Sequence, residues 1–144
     1  MKFRLIIDRN HDEEIVATVK EKTSLIDYIQ VLIEEDGNEL IGYLNNQVLK
    51  LNINEIECIY TQDNKTYCVY SNSNVYQIKK RLYEVEKVLP PTFIRINKSG
   101  IANSKKIKRF VTTITGSVNI EFTSGYSDYV SRRCFAEIKR RYDL

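Results

Sequence analysis

Over most of this chain, apolar and polar residues alternate in short runs. The clearest helical period lies near the N-terminus, where Leu25, Tyr28, Ile29, Leu32 and Ile33 fall at i, i+3, i+4, i+7 and i+8 on one stripe. Ser24 with Asp27 fits a capping pattern before that stripe, and Gly37 is a plausible stop after it. Residues 2–7 and 14–20 read as strands around a polar turn at 8–13. Residues 1–39 are therefore expected to form a small ββα extension, too small to fold well alone, that docks on the rest or on a second copy. From Leu40 the period shortens. Residues 40–44 and 48–53 read as strands around Asn45-Asn46, residues that tolerate the positive φ of a tight hairpin. Residues 55–60 and 66–71 flank a loop at 61–65, and 74–78 is a further strand. Residues 79–89 read as a short helix with Leu82, Val85 and Leu89 on one side, ended by Pro90-Pro91. Residues 93–97 are extended, 107–115 and 117–122 form a hairpin around Gly116-Ser117, and 126–130 is a last strand. Ser131 caps a C-terminal helix with Phe135, Ile138 and Tyr142 inward. Residues 40–144 thus read as a mainly β module with two short helices.

Length and cysteine count leave this picture intact. A chain of 144 residues buries about 68–70% of its unfolded surface, so it needs no metal or disulfide. Cys58, Cys68 and Cys134 are widely spaced and form no C-x-x-C pair, which suits reduced thiols in a cytoplasmic protein. No apolar run reaches the ~18–20 residues of a membrane span, and no signal-peptide pattern opens the chain.

Charge changes the picture. Residues 93–144 hold eleven Lys/Arg and four Asp/Glu, a net of +7, whereas residues 1–92 hold eleven and fifteen, a net of −4. The small overall charge of +3 hides a polarised molecule. A cationic face of this kind steers polyanions, nucleic acid above all. Catalysis is poorly supported. The single His11 lies in a polar turn, so no Ser/His or Cys/His pair can form in residues 40–144. There is no glycine-rich phosphate loop. Glu55, Glu57, Glu84 and Glu86 read as a solvated strand edge or helix face. No cofactor and no small-molecule substrate is expected.

Three polar, cationic clusters interrupt the β pattern. The first is Thr61–Tyr67, with Asn64, Lys65 and Tyr67. The second is Asn97-Lys98-Ser99, with Asn103, Lys105 and Lys106 beyond. Asn can read an adenine edge and Lys a guanine edge or phosphate, while Ser99 and Asn103 could equally bond their own backbone. The third is Ser131-Arg132-Arg133. Arginine at a helix N-terminus opposes the dipole by about 0.3–1 kcal/mol, yet two guanidinium groups there make a ready anion site.

In this order the clusters resemble the LytTR family of bacterial DNA-binding domains, from about Leu40 to Leu144. Glu55-Ile-Glu-Cys-Ile-Tyr60 resembles the family's Asp/Glu-Ile-x-x-Ile/Phe-Tyr entry strand. Phe93-Ile-Arg-Ile-Asn-Lys-Ser-Gly-Ile-Ala-Asn103 resembles its Phe-x-Arg-x-His-Arg-Ser-Tyr-x-Val-Asn signature. Val130-Ser-Arg132 resembles its closing Val-Ser-Arg. The resemblance implies an elongated arrangement of small antiparallel sheets whose loops enter successive major grooves from one face of the duplex. It places the base- and phosphate-contacting positions on Tyr67, Lys98 and Arg132, flanked by Asn97 and Ser99, and makes Asn103 structural. It also implies tandem DNA repeats as target, which a homodimer would suit. Asn97 stands for the usual His, Lys98 for Arg and Gly100 for Tyr; lysine lacks the bidentate fork. Residues 1–39 are too short for the receiver domain that often precedes this family.

The expectation is a bacterial, cytoplasmic, sequence-specific regulator that binds duplex DNA. Its contact set is Lys65, Tyr67, Asn97, Lys98, Ser99, Lys105, Arg132 and Arg133, with Lys106 adding attraction. Residues 1–39 would mediate dimerisation or receive a signal. A membrane-bound or other protein regulator is a conceivable controller to which no residue points. The rival readings are a β-rich RNA binder, with Tyr67, Tyr70 and Tyr76 as a stacking platform, and a module whose basic face meets an acidic protein.

Overall fold

Sharp polar turns and β-branched runs divide the second part of the chain into ten strands. A computed structural model describes residues 1–34 and 40–144. Helix α1 (Ser24–Glu34) is followed by β1 (Ile41–Leu44), β2 (Gln47–Lys50), β3 (Ile56–Gln62), β4 (Lys65–Tyr70), β5 (Val75–Ile78), α2 (Leu82–Val88), β6 (Phe93–Asn97), β7 (Gly100–Asn103), β8 (Ile107–Thr112), β9 (Val118–Phe122), β10 (Ser127–Val130) and α3 (Arg132–Tyr142). The strands form two antiparallel sheets, one of seven in the order β2-β1-β5-β4-β3-β7-β6 and one of three in the order β10-β9-β8. The tight turns use residues that tolerate φ > 0: Asn45, the pair Asp63-Asn64 and Ser73.

Both faces of the large sheet are covered, which decides which side chains its central strands can carry. On one face Leu40, Ile56, Ile59, Cys68, Tyr76, Ile78 and Ile101 pack beneath Leu82, Val85, Val88 and Leu89 of α2 and its exit. On the other, Cys58, Val69, Ile94, Ile96 and Ala102 meet Val118, Ile120 and Phe122 of the small sheet, Val130 and Ile138 of α3. A row of rings crosses between the sheets. Tyr67 lies 5.4 Å from Tyr60, Tyr60 lies 6.0 Å from Tyr126, and Tyr126 lies 5.8 Å from Phe122. Burial pushes the hydroxyl pKa of Tyr60 and Tyr126 upward.

Glu57 departs from the solvated reading. It sits on β3 with both faces of the sheet covered and is wholly buried. Its carboxylate accepts from Thr123 Oγ1 at 2.6 Å, from the Ser124 N–H at 3.1 Å and from Ser124 Oγ. Three donors from the β9–β10 turn thus satisfy a charge that would otherwise be costly to bury.

The N-terminal expectation needs correction. α1 forms as the stripe predicts, with Tyr28 and Ile29 half-buried, and packs against α2. Residues 2–7 and 14–20 form no strands, and all of residues 1–20 are exposed. The turn between them does form, with the His11 N–H on the Asp8 carbonyl and the Asn10 N–H on Asp8 Oδ1. Two strands without a third and without a buried face are marginal in water, so the turn exists without its ladder. The expected stop at Gly37 and the side chains of Leu32 and Ile33 lie outside the described residues. In α3, Ile138 is buried and Phe135 half-buried, but Tyr142 is exposed beside the left-handed cap at Asp143.

Removing the Glu57 carboxylate leaves its three donors on the β9–β10 turn without their acceptor and a gap where the carboxylate was wholly buried. Glu57→Ala should lower unfolding stability by about 2–4 kcal/mol, and Glu57→Gln, which keeps one acceptor, by clearly less. Denaturant titration of the three proteins checks this order.

Candidate nucleic-acid interface

Strand register brings the first two polar clusters to one end of the large sheet. The β3–β4 turn at Asp63-Asn64 and the β6–β7 turn at Lys98-Ser99 lie at the same end because Tyr60 pairs with both Tyr67 and Gly100. Two strand spacings, about 10 Å, separate the hairpins. The Thr61 N–H donates to the Ser99 carbonyl at 2.9 Å and ties one turn to the other. The third cluster joins them where β10 runs into α3. There the Ser131 N–H donates to the Ile96 carbonyl at 2.8 Å. Ser131 also caps α3 by accepting from the Cys134 N–H, as the sequence suggested.

Asn97 is the knot. A register shift after Arg95 turns its side chain inward, where it is 2% exposed. Its Nδ2 donates to the Tyr129 carbonyl at 2.8 Å and its Oδ1 accepts from the Ser99 N–H at 2.8 Å. The expected adenine-reading role is thereby corrected: the amide is used up inside the protein, holding the β6–β7 turn against β10. Gly100 makes room for it. A Cβ there would lie 3.3 Å from Asn97 Oδ1 and 3.2 Å from Ile96 Cγ1.

The remaining expected residues separate cleanly. Lys65, Lys98, Arg132 and Arg133 are exposed around the three turns, and Ser99 is half-buried beside Lys98. Tyr67 is half-buried at the outer end of the ring row. Lys105 does not join them. β7 runs from Gly100 at the turn end to Asn103 at the other, so Lys105 and Lys106 emerge away from the turns; Lys106 lies 3.9 Å from Glu55, just before β3. Asn103 is buried, donating from Nδ2 to the Ile56 carbonyl and accepting the Lys105 N–H, which fits the structural reading. The tyrosine platform of the RNA reading does not assemble. Tyr67 faces the small sheet, whereas Tyr70 and Tyr76 pack edge to face on the opposite core.

Two contributions were missed. Lys79, Lys80 and Arg81 precede α2 rather than lying within it, and Thr66 pairs with Ile78, so Lys79 emerges beside Lys65. Three consecutive cations were the available signal. Arg95 braces the β6–β7 turn from behind, donating from Nη1 to the Lys98 carbonyl at 2.8 Å and from Nε to Glu86 at 2.7 Å. Beneath the same turn lies the half-buried Asp128 carboxyl. Burial raises its pKa above the usual carboxylate value, against the hydrogen bonds from the Tyr129 N–H and the Asn97 amide. Among the described residues no group of His, Cys, Asp and Glu could hold a metal ion.

The LytTr DNA-binding domain matches residues 46–143. The chain belongs to the LytTR family. It is 28% identical over its whole length to uncharacterised HTH-type transcriptional regulators of Staphylococcus aureus strains MRSA252 and N315, covering 99% of each. Among solved structures, it resembles a LytTr DNA-binding domain from Bacillus cereus with a TM-score of 0.66 and 20% identity, over 75% of this chain and 100% of that one. The shared fold is the mainly β one described above. Among the described residues of this LytTR protein, no two helices follow one another without a strand between them, so its turns, not a helix-turn-helix pair, form the cationic end.

Asp128 gives the site a pH signature. Its folded pKa lies above the unfolded value, so the proton-bound native form is favoured at low pH and that stabilisation is lost as pH rises through the raised value. Asp128→Asn should therefore gain stability over the parent as pH rises from about 4, measured as the difference in unfolding free energy across a pH series. A difference that does not change with pH would contradict the burial of that carboxyl.

Proposed function

We propose that this LytTR protein is a bacterial transcriptional regulator that reads duplex DNA sequence-specifically through its turns. The observation that carries the reading is the convergence of three chain segments, distant in sequence, into one cationic end held by buried hydrogen bonds. Lys98 and Arg132 contact base edges or the phosphates beside them. Lys65 and Arg133, with Lys79 to Arg81, supply attraction that is independent of sequence. Tyr67 and Ser99 complete the contact set, and Asn97 and Arg95 position it. The β3–β4 and β6–β7 turns and the start of α3 enter successive major grooves. The protein acts in the cytoplasm as a homodimer on tandem repeats, with residues 1–39 as the dimerising or signal-receiving segment. No helix among the described residues is long and apolar enough to cross a membrane.

Selection from random duplexes supplies the target, and titrations at several salt concentrations then sort the residues. Arg132→Ala should cost about 1–3 kcal/mol on the selected duplex and much less on a scrambled one; equal losses would make Arg132 a phosphate anchor. Lys65→Ala should flatten the salt slope by about one unit, and Lys105→Ala should leave it unchanged. The reverse order would put the DNA at the other end of the sheet. Duplex binding without sequence preference, displaced by an acidic protein, would favour the interaction module.

A further inference from the structure

The first twenty residues carry an unspent apolar surface. Phe3, Leu5, Ile6, Ile7, Ile15 and Val16 are each at least 70% exposed. Surface of that kind on a single chain marks an interaction site. It lies outside the LytTr DNA-binding domain, which matches residues 46–143. The S. aureus relatives nevertheless align across it.

We propose that residues 14–20 pair antiparallel with residues 14–20 of a second copy, about a two-fold axis at Ala17. The segment Glu14-Ile-Val-Ala-Thr-Val-Lys20 is complementary to itself. In that register Glu14 faces Lys20 of the second copy, twice. Ile15 faces Val19, Val16 faces Thr18, and Ala17 faces Ala17. Directly opposed residues share a face of an antiparallel pair. Ile15, Ala17 and Val19 from both copies therefore make one apolar face, and the Glu–Lys pairs lie on the other. Only Glu13 against Glu21, one step beyond, is mismatched.

The formed turn at Asp8–His11 is placed to bring residues 2–7 alongside as outer strands. The result is a four-stranded sheet; with Asp8 opposite His11, Phe3 lies opposite Val16 and adds apolar area on the face of Val16. This accounts for the missing ladder in the single chain: one hairpin is marginal, whereas three or more strands with an apolar face are stable. A two-fold contact requires a surface that complements itself, and the charge order of residues 14–20 meets that requirement without a foreign partner. The inference rests on the dimeric reading above and gives it a contact surface.

Sedimentation of the full chain tests it. The parent should be a dimer in which amide protection of residues 14–20 rises with protein concentration. Glu14→Lys alone and Lys20→Glu alone should each dimerise about tenfold more weakly, since each creates two like-charge pairs. An equimolar mixture of the two should regain the parent affinity, because both cross pairs are then opposite in charge. A parent that is monomeric at every concentration, or a mixture no tighter than either variant alone, would overturn the proposal. Binding of a single-repeat duplex, read in parallel, should be unchanged in both variants. Its absence in the parent would instead overturn the DNA-binding reading, whatever the sedimentation shows.

Discussion

Asn97 must satisfy both ends of a buried amide, and this constraint shapes the cationic end of the molecule. Its donor reaches the Tyr129 carbonyl on β10 and its acceptor receives the Ser99 N–H in the next turn. A polar group at 2% exposure has no water to fall back on, so loss of either bond costs the full desolvation of the group left behind. The position of Lys98 relative to the start of α3 is therefore set by an amide rather than by the cations themselves. Gly100 is part of the same arrangement, because a Cβ there would press on both Ile96 and the Asn97 amide.

Around that amide the sheet supplies rigidity in layers. Thr61 ties the β3–β4 turn to the Ser99 carbonyl, and Ser131 ties the start of α3 to the Ile96 carbonyl. Further away, Glu57 fastens the β9–β10 turn to β3, and the ring row from Tyr67 to Phe122 fills the gap between the sheets. The small sheet carries β10, and β10 carries Arg132. Placement of the arginine thus depends on how firmly the small sheet docks. Exposed lysines and arginines stand at the tips, above a backbone held by these hydrogen bonds.

Much of this was readable from residue order. Asn45-Asn46 and Gly116-Ser117 marked real turns, Ser131 marked a real cap, and the signature from Phe93 to Asn103 marked the family. Other features were not readable because they depend on register or on partners. Asn97 reads as a base-contacting amide until a register shift turns it inward. Lys105 follows the signature directly, yet β7 carries it to the far end of the sheet. Glu57 looks like one of several surface carboxylates until the second sheet covers it. Lys79, Lys80 and Arg81 were absorbed into a helix that begins three residues later than expected, at Leu82. The alternation in residues 2–7 and 14–20 is genuine, but alternation predicts a strand only where a neighbour exists to complete it.

The central claim is that an amide buried beneath the turns, and not the number of exposed cations, organises recognition. The most direct measurement compares Asn97→Ala with the parent for binding to the selected duplex, with folding followed by circular dichroism. The account predicts a folded variant, with every Lys and Arg retained, that loses at least tenfold in preference for the selected duplex over a scrambled one. A folded variant with undiminished preference would contradict it.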